Sequence, residues 1–218
     1  MIIVITGDIG SGKSLSVVKE IVDRKQNTFT NFKLYNKKYT RLKWDNIVLQ
    51  EDKKFKVNFP YWRKQVKKGG FDIYLDEFHN TMNARRSMSK NNVVLSNWLS
   101  QIRKILGDQE KHNLYLITQK LRRIDVNSKD LAQCAIKCEK YMYPNTMPTE
   151  IIDKDGKLVT KDLPICVIRR YFFNSCQELQ NYEDYGFGQP YKVTQFVGNW
   201  YYRYYNSYEL IMDEEEYV

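Results

Sequence analysis

No apolar run in the chain approaches the ~20 residues that a membrane-spanning helix needs. The longest, Met1–Ile5, is also too short for a signal peptide and has no basic lead-in. A cytoplasmic location is the expectation. Glycine and proline are few, 10 and five in 218 residues, which excludes collagenous and low-complexity architectures. The four cysteines at 134, 138, 166 and 176 form no C-x-x-C pair, and His79 and His112 lie far from them in sequence. Neither a zinc site nor a disulfide framework is expected, and Cys134 and Cys138 read as small apolar core residues.

A disordered chain is excluded as well, because hydrophobic residues make up 42% and aromatics 14%. A chain of this length buries roughly 70% of its unfolded surface, enough for one sizeable domain. Thirty-five Lys and Arg against 26 Asp and Glu leave a net charge of +9. Lys33–Lys68 alone carries twelve basic residues against Asp45, Glu51 and Asp52. The remainder is close to neutral. Phe32, Tyr35, Tyr39, Trp44, Phe55, Phe59, Tyr61 and Trp62 lie in or beside this stretch. That combination suits either a phosphate-backbone partner or a well-solvated face over ordinary core aromatics. The Asp213–Glu216 run reads as a solvated tail.

Met1–Thr6 reads as a buried strand leading through Gly7–Ser14 into a helix, Leu15–Arg24. Further strands are expected at Thr28–Phe32, Phe71–Leu75, Leu114–Thr118 and Cys134–Met142. Helices are expected at Phe59–Lys68, ended by Gly69-Gly70, and at Val93–Leu106, capped by Ser89 or Asn91-Asn92; a short one is expected near Ser128–Gln133. Alternating strands and helices predict an α/β fold with a mainly parallel central sheet. After Pro144 the texture changes. Glu150–Asp153 and Lys157–Thr160 predict a hairpin around Asp155-Gly156, and Ile165–Phe173 and Tyr191–Val197 are β-rich. Residues 1–143 are expected to form the core, and residues 144–218 an antiparallel, β-rich extension of the same domain.

Gly7-Asp8-Ile9-Gly10-Ser11-Gly12-Lys13-Ser14 matches G-x-x-x-x-G-K-[ST] in full, between a buried strand and an amphipathic helix. Such a loop points backbone N–H groups at phosphate oxygens, and the helix that opens at Leu15 adds its positive dipole end. Lys13 then reaches the β- and γ-phosphates, and the Ser14 hydroxyl ligates Mg²⁺. Phe71–Leu75 ends in Asp76-Glu77. A carboxylate at that strand tip suits the magnesium shell; a second one directly after it suits a water attacking the γ-phosphate. Gln119, after Leu114–Thr118, falls between those two tips, where it would report nucleotide state. Such a set predicts an ATP-hydrolysing enzyme using ATP and Mg²⁺.

These three motifs, in this order, resemble the FtsK–HerA superfamily of ring-forming DNA-translocating ATPases. Within it the chain is most similar to Zot-type proteins of filamentous phages and to genome-packaging ATPases of tailless, membrane-containing viruses. Residues 75–139 carry most of the resemblance, through LDEFHNTMNARRSMSKNN, LSNWLSQIRKIL, LYLITQKLRRID and LAQCAIKCEKY. It implies a RecA-like fold, Mg-ATP hydrolysis and a homo-oligomeric, hexameric or similar ring around double-stranded DNA. It also implies an arginine reaching in from the neighbouring subunit. Arg103 matches the family position, with Arg85 and Arg86 as alternatives. His79 completes a D-E-x-H pattern and reads either as a coupling residue or as a loop histidine with a structural hydrogen bond.

The expected DNA contacts are Lys120, Arg122 and Arg123 beside the sensor, with Lys53, Lys54, Lys56, Lys64, Lys67 and Lys68 in the basic segment. Zot-type proteins carry a membrane span after the ATPase portion, and the lack of one here points to a soluble packaging motor. Such a motor would be in the host cytoplasm or virion-associated, and would engage a capsid vertex or a viral membrane protein. A Zot-like ATPase of phage assembly and extrusion is the alternative. A nucleotide-binding, DNA-associated scaffold is a third reading.

Overall fold

A computed structural model describes residues 1–51, 54–77, 90–106, 112–124 and 126–206. In chain order the elements are β1 (Ile2–Thr6), α1 (Lys13–Arg24), β2 (Asn27–Thr30), β3 (Thr40–Arg41), α2 (Trp44–Ile47), β4 (Val48–Glu51) and β5 (Lys54–Val57). Then follow α3 (Phe59–Lys67), β6 (Phe71–Leu75), α4 (Lys90–Leu106), β7 (His112–Ile117), α5 (Val126–Asp130), β8 (Cys134–Ile152), β9 (Leu158–Phe173), α6 (Cys176–Tyr185) and β10 (Lys192–Val197). Two 3₁₀ turns, Leu121–Arg123 and Gly198–Tyr204, complete the set.

Eight strands form one sheet in the order β10-β9-β8-β1-β7-β6-β2-β3, and β4 and β5 pair separately. From β8 across to β3 every pairing is parallel; β8–β9 and β9–β10 are antiparallel. The α/β expectation holds. The strands β1, β6 and β7 are buried along their whole length, as β-rich runs covered on both faces must be. One face packs Ile3, Ile5, Tyr74 and Ile117 against Val17, Val18 and Ile21 of α1. The other packs Ile2, Val4, Ile73 and Leu116 against Trp98, Leu99 and Ile102 of α4 and Trp62 of α3. Helix α3 opens on Asn58, whose Oδ1 accepts from the Tyr61 N–H at 3.2 Å, satisfying a donor the helix leaves unpaired.

Several boundaries differ from expectation. Helix α4 starts at Lys90, earlier than its first apolar ridge, and β2 stops at Thr30 because Asn31 turns inward. The largest difference lies in β8 and β9. Instead of a strand ending near Met142 and a separate hairpin, they form one long hairpin turning at Asp153–Lys157. A register shift between Tyr143 and Thr146 carries the ladder past Pro144, which has no N–H to donate. The 143/144 boundary falls at that shift, inside a continuous strand. Helix α6 falls where the sequence gives no helical expectation; Ser175 caps it, its hydroxyl accepting from the Glu178 N–H at 3.1 Å.

A candidate phosphate-binding and hydrolysis site

The glycine-rich loop lies where β1 hands over to α1. Gly12 precedes the helix with φ 86°, and a Cβ there would run into the Ile168 side chain of β9. Gly7 has φ 147°, and a Cβ would stand 2.5 Å from the Cys138 carbonyl oxygen of β8. Both positions require glycine. No side chain caps α1 and its first turn carries no acid, so its N–H groups and dipole face the loop unneutralised.

The Lys13 Nζ donates to the carbonyl oxygens of Gly7 and Asp8, both at 2.8 Å. Its side chain is buried, and that burial lowers its pKa from the ordinary lysine value. Ser11 Oγ is buried within the loop with no hydrogen-bond partner. A buried hydroxyl without a partner, beside uncapped helix amides and a buried ammonium, fits a phosphate ligand.

The metal-binding pair predicted from sequence is assembled. The Ser14 Oγ donates to Asp76 Oδ2 at 3.2 Å across the loop. Asp76 is 5% exposed, and burial pushes its carboxyl up to about 6. The two oxygens converge as a hard-cation site requires, so these residues fit Mg²⁺. Asn31, at the end of β2, fixes the tip: its Nδ2 donates to the Asp76 carbonyl oxygen at 2.9 Å and its Oδ1 accepts from the Asp76 N–H at 2.8 Å. Sequence reasoning missed Asn31, since nothing in the chain marks one asparagine after a strand as a clamp.

Glu77 follows in the left-handed region at φ 50°, and its N–H donates to Asp76 Oδ1 at 2.8 Å. That backbone is strained for a residue with a Cβ. Gln119 lies one strand over, on the β7 tip, with its backbone carbonyl accepting from the Thr6 hydroxyl at 3.3 Å. Its Nε2 donates to Glu77 Oε1 at 3.3 Å and its Oε1 accepts from Arg123 Nη1 at 3.1 Å. A carboxylate, an amide and a guanidinium therefore form one chain. Arg122, beside it, pairs with Asp184 of α6 at 2.7 Å.

The other predicted residues are dispersed. Leu15 is buried against Cys166 and Ile168, so its side chain packs while its backbone stays in the helix's first turn. Ile9 stands exposed at the loop tip. Lys64 and Lys67 lie toward the C-terminal end of α3, and Lys68 follows them; this end leads into the start of β6, the end of that strand away from Asp76. Lys56 is exposed on β5, and Lys54 opens that strand. Among the described residues of the two basic groups, Lys120, Arg122 and Arg123 adjoin the site and Lys56, Lys64, Lys67 and Lys68 do not. Arg103 falls within α4. His79, Arg85, Arg86, Lys53, Ser89 and Asp213–Glu216 lie outside the described residues. His112 is structural, its Nδ1 accepting from the Phe71 N–H at 3.1 Å. Cys134, Cys138, Cys166 and Cys176 are all free and buried. No described helix is long and apolar enough to cross a membrane.

The chain aligns with the N-terminal domain of zonular occludens toxin from Neisseria meningitidis over 99% of its own length and 96% of that chain, at 16% identity and a TM-score of 0.50. A second solved structure is the genome packaging NTPase B204 from Sulfolobus turreted icosahedral virus 2 in complex with sulfate. There the identity is 17%, the coverage 62% of this chain and 72% of that one, and the TM-score 0.40. No curated protein matches the chain. The likeness to the toxin domain is one of fold, and the glycine-rich loop between β1 and α1 on a mainly parallel sheet makes that fold a P-loop NTPase fold. The family described as zonular occludens toxin (Zot) matches residues 1–154, and the chain belongs to that family.

Proposed function

We propose that the chain is an ATPase that translocates double-stranded DNA as a ring of identical subunits, using ATP and Mg²⁺. The observation that carries this reading is the hydrogen-bonded chain from Glu77 through Gln119 to Arg123. One end is the carboxylate suited to orienting an attacking water, and the other is a cation exposed beside Lys120 and Arg122. Magnesium, when bound at Ser14 and Asp76, supplies charge neutralisation at the transferring phosphoryl group. Lys13 holds the phosphates, and Gln119 orients the Glu77 carboxylate. DNA phosphate drawing Arg123 away would free the Gln119 amide, coupling grip to hydrolysis. A phosphate grip reads no sequence, as movement along a whole genome requires.

The test is ATP turnover with and without double-stranded DNA. Glu77→Gln is expected to bind ATP and lose turnover by about 10²–10³-fold, as loss of a group acting in the transition state does. Lys13→Ala is expected to lose binding itself. Replacing Arg122 and Arg123 together reduces stimulation by DNA more than basal turnover. Absence of DNA binding at low salt, where phosphate contacts are strongest, overturns the motor and leaves the scaffold reading.

Genome packaging into a capsid is one setting for such a motor. Membership of the Zot family favours a second, in which the same ATPase drives phage assembly and extrusion with a membrane partner. Complementation with Glu77→Gln separates them: empty capsids accumulate in the first setting, and unreleased DNA–coat complexes in the second. Host cytoplasm or virion association, a hexameric ring and a capsid vertex or viral membrane protein as docking partner belong to the same proposal.

A further inference from the structure

The γ-phosphate end of the site is defined by Asp76, Glu77 and Gln119, on the tips of β6 and β7. In the sheet order these strands lie to one side of β1, and β8 and β9 lie to the other. A nucleotide is a linear ligand. With its γ end at β6 and β7 and its phosphates on the loop and the α1 amides, its nucleoside must extend toward β8 and β9. There the hairpin does not stop at the loop. The β1–β8 pairing ends at Thr6 and Lys137, while β8 continues to Ile152.

The side of the hairpin that faces the loop is fixed by its register. Cys138 pairs with Arg170, whose guanidinium reaches Glu20 of α1, and Lys140 pairs with Ile168, which packs on Leu15 and closes against Gly12. Met142 pairs with Cys166 in the same cluster. Directly opposed residues share a face, so Lys140 and Met142 lie on the α1 side, about 7 Å and 13 Å along the strand past Cys138. Both are exposed, Met142 at 50%, although their partners Ile168 and Cys166 are fully buried. The buried polar groups beside Cys166 are engaged within the chain: Asn199 Nδ2 donates to Thr149 Oγ1 and the Pro164 carbonyl oxygen, and its Oδ1 accepts from the Cys166 N–H.

We propose that the nucleoside of the bound nucleotide lies on this strip, with Met142 under the base and Lys140 beside the ribose, and that the subsite does not read the base. A thioether is a polarisable, adaptable platform for any aromatic ring. Discrimination between bases requires fixed, buried polar groups that a wrong base leaves unpaired, and the buried ones beside Cys166 are spent on Asn199. The inference rests on the nucleotide-binding reading above.

Binding of ATP, GTP and inorganic tripolyphosphate, each with Mg²⁺, is measured by calorimetry on the full chain. The wild type is expected to bind ATP and GTP within about threefold of each other, and tripolyphosphate more weakly. Met142→Ala with Lys140→Ala should weaken ATP and GTP together by about tenfold and change tripolyphosphate by much less. Both side chains are exposed, so the fold is expected to tolerate the change. As a second readout, Met142→Trp should show a fluorescence change with ATP and none with tripolyphosphate. Unchanged ATP and GTP affinity in the double variant overturns the subsite, and a strong preference for one base overturns its indifference. If the wild type binds neither nucleotide nor tripolyphosphate, nucleotide binding itself fails and the subsite with it.

Discussion

Along β1, β6 and β7 every residue is buried, whereas along β8 every residue from Lys140 to Thr146 is exposed. Both stretches are strands of one sheet, and they serve different ends. In the sandwiched half the buried carboxylates and the Asn31 amide have partners on hand. Asp72 has Arg24 and the Asn113 N–H, Asn31 has the Asp76 backbone, and Asp76 has Ser14. Burial of that kind holds catalytic groups to one geometry. In the projecting half the side chains are open to solvent, with Tyr141 tied to Glu139, and the strand is held by its ladder to β9 and by pins such as Asn199. The site proposed above, with a water held on one side and a ligand on the other, would draw on both.

The comparison is sharpened by substitutions whose effects should fall in order from the first half to the second. Trp62→Ala removes a fully buried ring that packs edge-on against Phe29 and tilted against Phe71. It should cost about 3–5 kcal/mol in urea unfolding. Asp76→Asn should act next, with a pH signature. Burial raises the folded carboxyl to about 6 from 3.8. Its contribution to stability is therefore fully present below the unfolded value and is lost as pH rises through about 6. The variant lacks this titration, so relative to wild type it should gain on the order of 2–3 kcal/mol between pH 4 and pH 8 in the nucleotide-free protein. A flat difference across that range would contradict the buried ionisation.

In the projecting half, Asn199→Ala strands the buried Cys166 N–H, which now donates to Asn199 Oδ1 at 2.7 Å. It should cost about 1–3 kcal/mol, and amide exchange should rise locally at Cys166. Tyr143→Ala, at an exposed position of β8, should stay within about 0.5 kcal/mol of wild type. A large loss there would mean that the hairpin face is part of the core, and the contrast between the halves would fail.

The same contrast explains what the sequence makes legible. Met1–Thr6, Phe71–Leu75 and Leu114–Thr118 are short apolar runs because two helical layers cover them, and covered strands announce themselves. The phosphate loop is legible because its glycines and lysine each answer a local demand. Gln119 is legible through its place after a buried strand. Across Lys140–Thr146 no layer imposes a pattern, and Pro144 signals an end that the register shift bypasses. Asn31 is invisible for another reason: its partner is backbone 45 residues away, and a main-chain amide leaves no trace in composition. The wide separation of Lys67 from Arg123 also escapes a linear reading, because charge clustering says nothing of sheet edges.

Glu77 sits in a backbone region that glycine or asparagine adopts at less expense. Selection for heat resistance alone would therefore reward its loss, with Glu77→Gly relieving conformational strain of about 1 kcal/mol. A carboxylate there sets what the proposed chemistry asks of the position against what stability asks of it. Drift in a lineage released from ATP turnover should show at this residue before it shows in the core.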